Sequence, residues 1–403
     1  MTRAPSERVV ILVLGLVQLV ATLDATIVTA LGPDLAGELA FSPSRLGWIN
    51  GAYGAGAAVS GLAGAAVLDR FPRRGALVAA TACLAGAATV CALAGGFASL
   101  GIGRLLGGMC GGPVGALTLT VLADVIPPER RGKGVGALLG SYAIATIIGT
   151  PLGLELSRRH SARAVFVMTA GLALVAAACA RAVLPPLRDH LRHATRKLGF
   201  RELLGKPHVA LAYTTIVLLN FSGFLIIPNI PAYLLRNLAF PRADLATLYA
   251  GAGAMSFIVM RLTGRLVDRR GSTLACAAGS ALLVATFYAG FVAGLLGAIA
   301  LALAFLAGNV IRTIACFTLA TKVPDNTYRA RFMSLQSALQ NAAMAGGAFA
   351  SVQMLHEGPN RSLAGMDRVA WLAIALVVAL AGCVAVLERR QRATRSSSGS
   401  PAT

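Results

Sequence analysis

Acidic side chains are scarce in this chain: 16 Asp and Glu stand among 403 residues, and charged residues together make up only 13%. Aromatic residues are few as well, at 6% with two Trp, whereas apolar residues reach 56% and the mean hydropathy is +0.72. A water-soluble domain needs a polar surface that this composition cannot supply, so the chain is expected to be a polytopic membrane protein with the lipid bilayer as its solvent. The seven cysteines fall within apolar runs without pairing or metal-ligand spacing, and read as small packing residues. The five histidines stand apart from any carboxylate or thiol cluster, so no metal site, no cofactor site and no catalytic constellation is expected. No Gly-x-x-x-x-Gly-Lys-Ser/Thr loop occurs, which argues against an ATP-driven machine.

What is present is a series of apolar runs of about 20 residues, the length that crosses a bilayer as a helix. Twelve spans are predicted, at Val9–Leu31, Leu46–Leu68, Gly75–Phe97, Leu100–Ala123, Gly134–Leu156, Ala164–Leu184, Val209–Leu235, Leu245–Val267, Thr273–Ala293, Leu296–Leu319, Phe332–Leu355 and Val369–Leu387. The first run is too long for a cleavable signal peptide and is expected to remain as a span. Alternate connectors carry the basic residues: Arg70, Arg73 and Arg74, then Arg130, Arg131 and Lys133, then the segment from Arg188 to Lys206, then Arg269, Arg270, Lys322 and Arg329. Short basic loops stay in the cytoplasm, so both termini are expected there. The +20 net charge is dispersed over these loops rather than gathered on one face, which reads as topology and not as nucleic-acid binding.

The connectors also repeat. Asp69-Arg70 after the second span corresponds to Asp268-Arg269 after the eighth, and Arg131-Gly-Lys133 to Arg329-Ala-Arg331. A repeat at about 200 residues implies two pseudo-symmetric halves. The expected organisation is an all-α membrane protein with an N-terminal six-helix bundle at 1–184, a basic cytoplasmic linker at 185–208, a C-terminal six-helix bundle at 209–387 and a disordered cytoplasmic tail at 388–403.

Asp24 is the one acid well inside a predicted span, where an unpaired carboxylate costs several kcal/mol and so marks a candidate site. It lies about 10 Å from the outer end of its span, and Arg104 about 6 Å from the outer end of the fourth, so the two are within reach of an ion pair or a shared water.

The stretch Ala65-Ala-Val-Leu-Asp69-Arg70-Phe-Pro72-Arg73-Arg74 resembles the loop signature Gly-x-x-x-Asp-Arg-x-Gly-Arg-Arg of the major facilitator superfamily, with Ala65 and Pro72 replacing its glycines. The second copy, Gly264-Arg-Leu-Val-Asp268-Arg269-Arg-Gly271, keeps both glycines and has Ser272 in place of a basic residue. Three further stretches resemble the twelve-span drug:proton antiporter branch. They are Leu23-Asp24-Ala-Thr26-Ile-Val with Pro33 in the first span, Arg104-x-x-x-Gly108 in the fourth, and Gly140 with Gly149-Thr-Pro151-Leu-Gly153 in the fifth.

The resemblance implies a major facilitator fold whose first, fourth, seventh and tenth helices line a substrate cavity. It implies proton coupling through Asp24 and Arg104, and a conformational charge latch from Asp69, Arg70, Arg73, Asp124, Asp268 and Arg269. Gln18, Thr118, Tyr142, Asn220, Asn229, Tyr233, Asn309 and Arg312 are the polar candidates for the cavity; Arg312 either neutralises an anionic cargo or snorkels towards the cytoplasm. The implied function is proton-coupled export of a small molecule, a drug or metabolite, by a monomer in the inner membrane of a bacterium, not an enzyme. Proton-coupled uptake is the alternative, and a non-transporting receptor or scaffold a third reading.

Overall fold

The computed structural model describes residues 6–67, 71–127, 131–187, 207–321, 323, 329–359 and 362–397. With no water to take up backbone N–H and C=O groups in a bilayer, the long apolar runs satisfy them as helices. In the first half these are α1 (Glu7–Glu38), α2 (Leu46–Val67), α3 (Arg73–Ala92), α4 (Phe97–Val125), α5 (Arg131–Ile144), α6 (Thr150–Arg159) and α7 (Ala162–Val183). The second half holds α8 (Pro207–Ile226), α9 (Ile230–Arg236), α10 (Leu245–Arg270), α11 (Ser272–Phe287), α12 (Ala298–Thr321), α13 (Arg329–Met354) and α14 (Met366–Ser397). A π turn at Ala145–Gly149 joins α5 to α6, and a 3-10 turn at Ile227–Asn229 joins α8 to α9, so each pair makes one crossing. Among the described residues these make twelve crossings, six in each half, and each predicted span coincides with one.

Local chemistry explains the breaks. Pro151 has no N–H to return to the preceding turn, and the helix widens just before it, with Thr150 Oγ1 donating to the Ala145 carbonyl at 3.3 Å. Gly271 ends α10 with a φ of 89° while its N–H bonds the Val267 carbonyl at 2.9 Å, a left-handed cap that suits glycine. Its counterpart Pro72 heads α3 with a φ of −55°, so the first copy of the turn reaches the next helix by a different backbone route. A short antiparallel pair, β1 (His356–Glu357) and β2 (Leu363–Ala364), links α13 to α14.

One expectation is corrected. The segment after Leu387 was expected to be disordered, but α14 continues to Ser397. Glu388 explains the start of the extension, since its Oε2 accepts from the N–H of Thr273 at 2.6 Å and from its hydroxyl at 2.5 Å, tying α14 to α11. Glu, Arg and Gln in Glu388–Arg392 are also good helix formers.

The halves meet along two seams related by the pseudo-symmetry, α2 on α13 and α6 with its π turn on α10. Small residues allow the close approach. A side chain at Gly47 would begin 2.3 Å from the Ala348 carbonyl oxygen, and one at Gly51 2.2 Å from the Phe349 ring. The clearance then grows along α2, to 3.0 Å at Gly54 and 3.7 Å at Gly61. On α10 the pattern repeats, with 2.8 Å at Gly253 against Ile147 and nothing within 4 Å of Gly264. Both seams are therefore tight towards the end where α2 and α10 begin, and looser towards the end that carries Arg73, Arg269 and Arg270. Exposed Leu12, Leu93, Ile102, Leu152, Val167 and Leu174 give the outer face its apolar surface.

Candidate functional site

Asp24 and Arg104 meet between α1 and α4, both 1% exposed. Arg104 Nη1 donates to Asp24 Oδ2 at 3.2 Å, and Nη2 donates to the Asp24 backbone carbonyl at 3.0 Å. The guanidinium also lies over the ring of Tyr53 from α2, 4.3 Å from its centroid, while Arg104 Nε has no polar partner among the described residues. Glycines make room for this arrangement. A side chain at Gly108 would begin 1.9 Å from the Tyr53 carbonyl oxygen, so only glycine lets α2 and α4 approach there. Gly107 faces the Asp24 carboxylate, and Gly111 faces the Tyr53 hydroxyl.

About two turns along α1, Gln18 extends the polar line. Its Oε1 accepts from Thr118 Oγ1 on α4 at 2.9 Å, and its Nε2 donates to Thr22 Oγ1 at 3.4 Å. The fifth crossing flanks this line. Gly149 and Gly153 turn towards Leu23 and Ile27, at 2.9 and 2.6 Å from where a side chain would begin, so the stretch around Pro151 packs on the Leu23–Ile27 face of α1, next to the face that carries Asp24. Gly140 takes no part in that contact, having nothing within 4 Å.

The remaining cavity candidates lie mostly in the second half. Arg312 on α12 is fully buried, donating through Nη1 to Ser222 Oγ at 2.9 Å and through Nη2 to Asn309 Oδ1 at 3.2 Å. Asn220 donates to the Ile216 carbonyl within its own helix. Asn229 spans from the Leu225 carbonyl to Ser351 Oγ on α13, both at 3.1 Å, and Tyr233 donates to the Gly290 carbonyl at 3.2 Å with its ring edge-on to Phe291. Asn229 and Tyr233 thus sit at packing contacts. The side chain of Tyr142 lies outside the described residues.

Of the charge-latch candidates, Arg73 on α3 and Asp124 at the end of α4 form an ion pair at the basic end of the first half. Asp268 and Arg269 are exposed at the end of α10 and form no ion pair among the described side chains. Asp69 and Arg70 lie outside the described residues.

Sequence reasoning missed one cluster. Asp34 on α1 accepts from Arg242 Nε at 2.7 Å and also from Arg242 Nη2, and takes a further hydrogen bond from Ser157 Oγ on α6 at 2.8 Å. Arg242 stands in the 3-10 turn ahead of α10, so this forked pair bridges the two halves at their tight end. The available signal was an acid just after Pro33 and a base on the connector after the seventh span, but no spacing rule relates positions 208 residues apart.

A family-wide sequence profile described as Major Facilitator Superfamily matches residues 14–348. A chloramphenicol efflux pump of Mycobacterium tuberculosis is 27% identical over 203 residues, 49% of this chain and 48% of that one. A chloramphenicol resistance protein of Streptomyces lividans is 27% identical over 264 residues, 62% of this chain and 65% of that one. The match thus spans about half of the first of these relatives and about two thirds of the second. Among solved structures, a D-xylose–proton symporter superposes with a TM-score of 0.75 at 17% identity, covering 94% of this chain and 97% of that one, which is a likeness of fold alone. The profile match over most of the chain, on a fold of two six-helix halves, establishes that this protein belongs to the major facilitator superfamily.

Proposed function

We propose that this transporter exports small molecules across the cytoplasmic membrane in exchange for protons, by alternating access of one central site. The observation that supports this most directly is the Asp24–Arg104 pair, a carboxylate and a guanidinium buried together within membrane-crossing helices. Ionisable groups at that depth are costly and rare, and they mark ion and proton pathways. A single carboxylate suits a proton; sodium would call for several oxygen ligands around it.

The two contacts of Arg104 divide the labour. Protonation of Asp24 weakens the contact to Oδ2, but the bond from Nη2 to the Asp24 backbone carbonyl does not titrate. α1 and α4 therefore stay joined in both charge states, and the proton changes the polarity of the site rather than the register of the helices. Cargo bound near Gln18 and Thr118 then favours release of the proton inward, and an emptied outward-facing site takes one up.

The basic end is assigned to the cytoplasm, with both termini, from the excess of Lys and Arg in its loops. On that assignment the seams part towards the cytoplasm and Asp34, Arg242 and Ser157 close the outer end. In the opposite arrangement, Asp69, Arg70, Asp268 and Arg269 join Arg73 and Asp124 to close the inner end. The glycines and proline of the fifth crossing seal the flank of Asp24 against proton leak. The working unit is a monomer, with bundles at 1–184 and 209–387 joined by 185–208. Chloramphenicol is the first cargo to try, since it appears in the names of two relatives.

Cells stripped of their own exporters provide the test. Expression of the wild type is expected to lower chloramphenicol accumulation, a protonophore to abolish the effect, and Asp24→Asn at equal membrane abundance to show none. Full export by Asp24→Asn would contradict the assigned coupling residue, and raised accumulation on expression would indicate uptake instead.

A further inference from the structure

Among the described residues, the second half holds a buried cation, Arg312, and no buried carboxylate. Arg312 is 0% exposed, and its described hydrogen-bond partners, Ser222 Oγ and Asn309 Oδ1, are both neutral. Its Nε has no partner at all among the described residues. No described acidic side chain forms an ion pair with it, in contrast to Arg104 in the first half. Burying an uncompensated charge costs several kcal/mol, so a position that keeps one has a reason to keep it.

The repeat makes the omission specific. Ser222 lies 198 residues after Asp24, within one residue of the 198 and 199 that separate the repeated connectors, so a hydroxyl stands in the second half close to the place that the carboxylate holds in the first, although Arg312 lies 208 residues after Arg104 and is not its repeat counterpart. Each is the partner of an arginine on the fourth crossing of its own half. The neighbouring position is Gly223. A side chain there would begin 3.9 Å from Arg312 Nη2 and 3.6 Å from Asn309 Oδ1, at ordinary contact distance, so a methyl-sized space lies against the guanidinium on the α8 side.

We infer that Arg312, Ser222 and Asn309 form an anion-binding site in the second half, which seats one monovalent anionic group supplied by an organic anion cargo or by a halide. The inference rests on the transport reading only for the role of the anion as cargo; the site itself stands on the uncompensated guanidinium. The Ser222 hydroxyl donates to the Leu219 carbonyl at 3.2 Å, a long bond that it exchanges for one to the anion by rotating, while Arg312 supplies the charge. The planar fork of Arg312, with Nε free, suits a carboxylate that takes two parallel hydrogen bonds.

Thermal unfolding of the purified full-length protein in detergent, at constant ionic strength, tests this. Benzoate is titrated against its neutral isostere benzamide, and chloride against sulfate. Saturable stabilisation of the wild type by benzoate but not benzamide assigns a carboxylate site, and saturable stabilisation by chloride assigns a halide site. Arg312→Gln is expected to lose the response and Arg312→Lys to retain part of it. Should Arg312→Gln fail to fold, Ser222→Asp supplies a fixed carboxylate in the manner of Asp24 and is expected to raise the midpoint in the absence of anion and abolish the response to it. The inference is overturned by a wild type that responds to neither anion, or by a response that survives in Arg312→Gln or in Ser222→Asp. Loss of the anion response with proton-driven export intact would remove this site alone. An intact anion response in a protein that moves no cargo would remove the transport reading alone.

Discussion

Arg104 holds α1 by two acceptors of different kinds, a side-chain carboxylate and a backbone carbonyl, and substitutions at the pair separate their roles. Asp24→Asn leaves the guanidinium buried without its counter-ion, and Arg104→Gln leaves the carboxylate so; breaking a buried pair from one side costs about 3–5 kcal/mol. The double variant Asp24→Asn with Arg104→Gln buries two neutral groups, so it is expected to be less destabilised than the sum of the singles while remaining inactive in transport. Unfolding of the four proteins in a double-mutant cycle reads this directly; strictly additive losses would mean that the two side chains are not coupled. Glycines on α4 differ sharply in tolerance. Gly108→Ala puts a methyl group 1.9 Å from the Tyr53 carbonyl oxygen and is expected to cost at least the ~1–3 kcal/mol usual for overpacking, with loss of folded protein in the membrane. Gly115→Ala, whose nearest atom lies 3.9 Å away, is expected to express normally, and comparison of detergent-stable yields checks both.

The fifth crossing widens into a π turn ahead of Pro151, which lacks an N–H. Pro151→Ala restores that donor, so the π turn at Ala145–Gly149 is expected to relax towards a regular helix, rotating Ile147 away from Gly253 and Gly149 away from Leu23. Passive proton entry into proteoliposomes is expected to rise in this variant, since the flank of Asp24 is no longer sealed; an unchanged leak would confine the motif to packing. The element was legible in the sequence because proline chemistry is local, and the twelve crossings were legible because run length and hydropathy are properties of a single stretch of chain. Asp24 was legible for the same reason, as an acid in an apolar run. The continuation of α14 to Ser397 was not, because a polar basic segment looks alike whether it frays or is anchored, and the anchor is a contact between Glu388 and Thr273. The packing roles of Asn229 and Tyr233 were hidden in the same way, since a polar residue near the middle of a span reads as cavity lining until its partner, Ser351 or Gly290, is known.

Between the halves, the described residues form two glycine-lined seams and one forked ion pair, Asp34 with Arg242. Asp34 and Arg242 are partly exposed, and part of their attraction is screened by solvent, so the pair biases an equilibrium between conformations rather than locking it. Arg242→Gln is expected to raise the outward-open population, seen as a several-fold faster thiol labelling of a cysteine placed at Ser157, with slower export because the cycle must still close that end. The long-range pairing of Asp34 with Arg242 was invisible in the sequence, as it exists only once α1, α6 and α10 have docked. All of these contacts serve one claim, that cargo leaves as protons enter through Asp24. Substrate-driven proton movement in proteoliposomes tests it most directly, with wild type and Asp24→Asn reconstituted in parallel, a pH indicator in the lumen and chloramphenicol added outside. The expected result is proton release from the lumen on cargo addition by the wild type and none by Asp24→Asn; proton movement in the same direction as the cargo, or equal release by the variant, would contradict the account.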